Sequence, residues 1–178
     1  MSAAEPAADP AALDAEAIYA RLRERVASGL AGRTGRSPAF VGVHSGGAWI
    51  ARRLRDELAP GAPLGFLSSA FHRDDFAQRG LRGGGDQRTS IGFPVDGADI
   101  LLVDDILYTG RTVRAALNEI FDYGRPRRVE LAVLLDRGGR ELPVQPDYVG
   151  AVLPLAAGQG FSLAHDDAGR LSLALERG

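Results

Sequence analysis

The sequence predicts an α/β fold with a central, mainly parallel sheet flanked by helices, and three observations lead to it. Residues 39–43, 64–68, 99–103 and 129–135 are short apolar runs of strand length. The first is followed by Ile50, Leu54 and Leu58 at helical spacing, and the third by Val113, Leu117, Ile120 and Phe121. Strands alternating with helices imply right-handed crossovers and parallel neighbours, which put any ligand beyond the carboxyl ends of the strands.

In chain order, residues 1–12 are an expected disordered arm and residues 13–178 a single domain, since one hydrophobic core serves a chain of this size. Leu13, Ala17, Ile18, Leu22, Val26 and Leu30 give an amphipathic helix over 13–30. Strand 39–43 runs into the small-residue turn His44-Ser45-Gly46-Gly47 and the next helix. After strand 64–68, the stretch HRDDFAQRGLRGGGDQRTS is too polar and glycine-rich to build a core face, so a long mobile loop, with or without a β-hairpin, is expected there. Strand 99–103 is expected to end in Asp104 and Asp105, and the helix after it to stop at Gly124 ahead of Pro126. Strand 129–135 follows. Beyond an apolar run at 148–152, residues 161–165 and 171–175 flank Asp166-Asp167-Ala168-Gly169-Arg170 as a hairpin with a glycine-containing turn.

Composition removes several chemistries. The chain has no cysteine, so disulfides, thiolate zinc sites and cysteine nucleophiles fall away, and a reducing cytoplasm is the expected setting. It also has no lysine: all 21 Lys+Arg residues are arginine. A Schiff-base lysine, the lysine of an ATP-binding P-loop and the lysine of a response-regulator acidic pocket are therefore excluded. No stretch approaches the roughly 20 apolar residues of a membrane span, so a soluble protein without a membrane partner is expected.

The chemistry concentrates in DILLVDDILYTGRT, residues 99–112. Asp104 and Asp105 offer hard anionic oxygens suited to ribose hydroxyls or a magnesium-bound polyol. Around Tyr108, Thr109, Gly110, Arg111 and Thr112, unpaired N–H groups at a helix start favour a phosphate. Each residue alone has an ordinary use: a threonine caps helices, a glycine relieves turns, and aspartates end strands. Joined without a gap, they match a sugar with hydroxyls in its middle and phosphate at one end.

That string resembles the type I phosphoribosyltransferases. VDDILYTGRTVRAALNEIFDYGRP, LAVLLDRGGRELP and PDYVG resemble more narrowly the group of bifunctional pyrimidine operon regulators and uracil phosphoribosyltransferases. The resemblance runs from about Phe40 to Val152. It implies the type I phosphoribosyltransferase fold, with a small hood beside the sheet, and transfer of phosphoribose from 5-phosphoribosyl 1-diphosphate to uracil, giving UMP and diphosphate. Magnesium would travel with the diphosphate substrate near Asp104 and Asp105 rather than bind the protein directly.

By the same resemblance Asp104, Asp105 and Arg73 are catalytic, Arg73 lying in a loop that closes over the reaction. Residues Tyr108, Thr109, Gly110, Arg111 and Thr112 would hold the 5′-phosphate, and His44, Ser45, Gly46 and Gly47 the diphosphate. In that second loop the family carries a basic residue followed by Thr-Arg-Gly, so this chain lacks the arginine there. Asp136, Arg137, Tyr148, Val149 and Gly150 would face the base. A homo-oligomer is expected. The residues themselves leave the base open, so a purine-specific enzyme remains an alternative, as does a catalytically weak or silent ligand sensor. RNA is a further candidate partner, through Arg21, Arg23, Arg25, Arg125, Arg127 and Arg128, though a net charge of -2 leaves no strongly basic face to be read from the sequence.

Overall fold

The structure, a computed structural model, describes residues 13–35, 37–68 and 87–177. The expected arm at 1–12 and the loop residue Arg73 lie outside the described residues. Two further expectations, the first helix and the tail hairpin, correspond to observed elements within a residue or two at most ends.

Helix α1 (Ala15–Ala31) leads to strand β1 (Ala39–Val43), helix α2 (Gly46–Leu58) and strand β2 (Leu64–Leu67). Strand β3 (Asp99–Leu107), helix α3 (Arg111–Tyr123), strand β4 (Arg128–Asp136) and strand β5 (Tyr148–Val152) follow, and β6 (Gln159–His165) and β7 (Leu171–Arg177) close the chain. The main sheet has the order β2-β1-β3-β4-β5, every neighbouring pair being parallel. Strands β6 and β7 form a separate antiparallel hairpin.

Local sequence explains the elements. Asp14 caps α1 by accepting from the N–H groups of Glu16 at 3.0 Å and Ala17 at 3.1 Å. The buried stripe Ile18, Tyr19, Leu22 and Val26 then packs on the sheet. Strands β1, β3 and β4 are covered on both faces, which is why they read as continuous apolar runs instead of alternating ones. Leu101, Val103 and Leu134 join α1 and α2 in one core cluster, while Ile100, Leu102 and Val133 join Ile120 of α3 in the other. Each fully buried Leu, Ile or Val contributes about 1.5–3 kcal/mol by leaving water. The hairpin adds Phe161 and Leu171 to the first cluster and rests the His165 ring edge-on against Trp49, with centroids 4.2 Å apart.

One expected boundary needs correcting. Strand β3 does not end before the aspartates; it continues to Leu107, because the nine-residue β4 offers ladder partners as far as Leu107 opposite Asp136. Side-chain alternation also breaks here. Val103 and Ile106 pack with the α1/α2 cluster, whereas Leu102 and Leu107 pack with the α3 cluster, so the faces change over between Asp104 and Ile106.

Gly150 is a steric keystone. A Cβ there would lie 2.5 Å from Leu134 O and 2.9 Å from Ile18 O, both backbone atoms. Gly150→Ala should therefore lower the unfolding free energy by about 1–3 kcal/mol in urea titrations, whereas Gly32→Ala, with nothing within 4 Å, should leave it nearly unchanged. A second prediction concerns acid stability. The Arg53 hydrogen bond holds the Glu16 carboxyl below its ordinary 4.5, against the opposing effect of burial and with help from Leu171 N–H. A depressed folded pKa stabilises above the unfolded value and is lost as pH falls through the folded one. Glu16→Gln should flatten the stability–pH curve below about pH 4.5; an unchanged acid limb would contradict this.

Candidate functional site

Beyond the carboxyl ends of β1, β3 and β4, three loops meet around the aspartate pair. Asp104 is buried, with 3% of its surface exposed, and its Oδ1 accepts from Asp105 N–H at 2.9 Å. Asp105 is half-buried and faces the opposite way, against the start of α2. The carboxylates therefore straddle the strand end, as adjacent strand residues must.

On the Asp104 side, a solvent-open depression is lined by Asp104, Tyr108, Thr109, Gly110 and Thr112, among others. Gly110 caps α3 in the left-handed region, with φ 94°, a conformation that glycine adopts without strain. Lacking a side chain, it makes no side-chain cap to the first turn of α3, and a helix start is a place that suits an anion. Thr109 is buried and its Oγ1 accepts from Arg111 N–H at 3.2 Å, while the Arg111 guanidinium pairs with Glu141. All five residues expected at the 5′-phosphate thus belong to one turn beside Asp104.

On the Asp105 side lies the loop His44-Ser45-Gly46-Gly47, whose His44–Ser45 peptide is cis. A Cβ on Gly46 would stand 2.3 Å from Asp105 Oδ2, and one on Gly47 2.5 Å from Val103 O. The loop and the acidic pair are in contact at a separation only glycine permits. Ser45 Oγ accepts from Gln87 Nε2 at 2.9 Å, and the His44 ring lies 5.4 Å from that of Phe66 at a tilt of 40°. Gln87 had no signal in the sequence beyond its place near the end of the long polar stretch.

The base-facing candidates separate. Asp136 ends β4 at the same rim and Arg137 follows it, its guanidinium stacked 3.8 Å from the centroid of the Tyr108 ring. Tyr148, Val149 and Gly150 are not brought there. Tyr148 pairs with Ala132, at the middle of β4, while the rim is four residues further on at the Asp136–Val152 pair. Its hydroxyl reaches towards α1, with Arg33 Nη2 donating to it at 3.4 Å, and Gly150 is buried under Ile18. The residues that do continue from β5 at the rim are those after Val152. Leu153 N–H donates to Asp136 O at 2.9 Å, and Leu155 N–H to Arg137 O at 3.2 Å. The place of this segment at the rim follows from the register between β4 and β5, which no local motif encodes.

The arginines considered for RNA make intramolecular contacts. Arg21 Nε donates to Gly150 O at 3.2 Å and Arg25 Nη1 to Val149 O at 2.5 Å. Arg23, Arg127 and Arg128 pair with Glu57, Asp99 and Glu130, and Arg125 donates to Phe121 O at 2.6 Å. No described helix is long and apolar enough to cross a membrane.

Comparison with known proteins gives the family and the fold. The phosphoribosyl transferase domain family matches residues 13–166. The "Bifunctional protein PyrR" of Ralstonia nicotianae is 48% identical over 157 residues, covering 88% of this chain and 89% of that protein. Its namesake from Pseudomonas aeruginosa is 48% identical over 160 residues, covering 90% and 91%. Among solved structures, a hypoxanthine phosphoribosyltransferase from Staphylococcus aureus superposes with a TM-score of 0.61 at 23% identity, over 80% of this chain and 76% of that one, which shows the shared fold. With a domain match over most of its length and relatives at nearly half identity, the chain belongs to the phosphoribosyltransferase family and stands with its PyrR proteins.

Proposed function

We propose that the protein transfers the 5-phosphoribosyl group from 5-phosphoribosyl 1-diphosphate to uracil, releasing diphosphate and forming UMP. The observation that carries this reading is the placement of the aspartate pair between two amide-rich turns: Asp104 beside the Tyr108–Thr112 turn and Asp105 against the His44–Gly47 loop. A ribose held at the aspartates has its 5′-phosphate on one side and its diphosphate on the other. Uracil as the acceptor is supported by the resemblance of VDDILYTGRT and DRGGRELP to the regulator and uracil phosphoribosyltransferase group.

In the reaction a bond forms between C1 of the ribose and N1 of uracil as the C1–oxygen bond to diphosphate breaks, and the N1 proton leaves. Positive charge develops on the ribose ring, and two carboxylates held beside it favour that charge electrostatically. Binding the 5′-phosphate at the turn before α3 fixes the sugar far from the breaking bond, so binding energy is used for orientation. Magnesium suits this site as a partner carried by the substrate, since Asp104 and Asp105 are hard oxygen donors. When bound, it would neutralise charge on the diphosphate. On the acceptor side we assign Asp136, Arg137 and the segment 153–158, with Tyr148 and Gly150 supporting the strand beneath.

Two measurements test the reading. A panel of radiolabelled uracil, hypoxanthine, guanine and adenine, with magnesium and 5-phosphoribosyl 1-diphosphate, should give product from uracil alone; a purine product would transfer the assignment to a purine enzyme, and no product at all would remove the catalytic claim. Asp105→Asn nearly preserves shape while deleting a negative charge, so kcat/KM should fall by about 10²–10³. Wild-type kinetics in that variant would show that Asp105 does not face the developing charge.

A further inference from the structure

Arg140 lies between β4 and β5 and joins three places at once. Its Nη1 donates to Tyr108 O at 2.5 Å, its Nη2 to Asp136 Oδ2 at 2.6 Å and its Nε to Val144 O at 2.8 Å. The next two residues continue the contact: the N–H groups of Glu141 and Leu142 both donate to Thr109 O at 3.0 Å. The segment 140–142 therefore captures two successive carbonyls of the turn before α3.

Peptide geometry gives this a chemical meaning. In a planar trans peptide the N–H points opposite to the C=O, and the one cis bond among the described residues is His44–Ser45. Holding Tyr108 O turns the Thr109 N–H away from segment 140–142. Holding Thr109 O does the same to the Gly110 N–H. Without those captures the carbonyls are free to rotate outward, and a carbonyl oxygen facing a phosphate repels it.

We propose that Arg140 is a positioning residue that sets the anion-receptive orientation of the Tyr108–Gly110 peptides and ties it to Asp136 at the acceptor end; this rests on the phosphoribosyl-binding reading of the site. Arginine is required because three acceptors in different directions are met by one rigid, planar fork. A lysine keeps the charge but presents a single point donor.

The experiment is calorimetric titration of the full chain and of Arg140→Lys and Arg140→Gln with ribose 5-phosphate, and separately with magnesium diphosphate. Both variants should bind ribose 5-phosphate about tenfold more weakly, the scale of a lost charge-assisted hydrogen bond, while diphosphate affinity stays within about twofold. Unchanged ribose 5-phosphate affinity overturns the inference. So does an equal loss for both ligands, which is what general loosening of the fold produces. Arg140→Lys alone decides the matter if the glutamine variant does not fold. An unsubstituted protein that fails to bind ribose 5-phosphate overturns the functional reading and the inference together, a result distinct from failure in the variants alone.

Discussion

The rest of the structure depends on how closely the first turn of α2 approaches the end of β3. Two glycines make the seam, where a Cβ on Gly46 would stand 2.3 Å from Asp105 Oδ2 and one on Gly47 2.5 Å from Val103 O, and Gly42 of β1 supports it from beneath, a Cβ there standing 2.6 Å from Ala48 Cα. None of the three has a positive φ, so the requirement is space and not backbone conformation. Each glycine costs about 0.5–1 kcal/mol in backbone entropy. In return the amino end of a helix sits against a carboxylate, with its dipole partly offset before any ligand arrives.

The opposite side of the strand end is organised by the change of face between Asp104 and Ile106. Regular alternation would carry Ile106 with Asp104 to the α3 face; instead Ile106 joins the α1/α2 core and Leu107 fills the α3 core. This leaves Asp104 buried beside the turn before α3 and Tyr108 at the surface, where it forms the platform for Arg137. Gly139 is part of the same arrangement, since a Cβ there would meet the Tyr108 ring at 2.4 Å. Packing below the rim thus fixes the chemistry above it.

What could be read from the sequence was local. The run Asp-Asp-Ile-Leu-Tyr-Thr-Gly-Arg-Thr is contiguous, so both the strand–turn–helix and the phosphoribosyl transferase family were visible. The two-sided burial of β1, β3 and β4 was visible for a similar reason, as unbroken apolar runs. Where reading fell short, a partner distant in sequence decided the outcome. Strand β3 runs past its aspartates because β4 supplies ladder partners, and Tyr148 points to α1 because of a register with Ala132 that puts the rim at Val152. Gly150, expected beside the base, packs β5 closely on α1 and β4.

The absence of lysine has a structural counterpart. Arginine forks act here as internal braces: Arg53 grips both oxygens of Glu16 at 2.9 Å, adds Glu57 at 3.1 Å and lies 4.0 Å from the Tyr19 ring centroid. Arg33 pairs with the buried Glu130, and Arg21 and Arg25 bind carbonyls of β5. A guanidinium that already meets protein acceptors must give some of them up, or share its remaining donors, before it can neutralise a polymer phosphate. Electrostatic affinity for nucleic acid grows with the number of phosphates so neutralised. Counting arginines therefore overstates the basic surface of this protein.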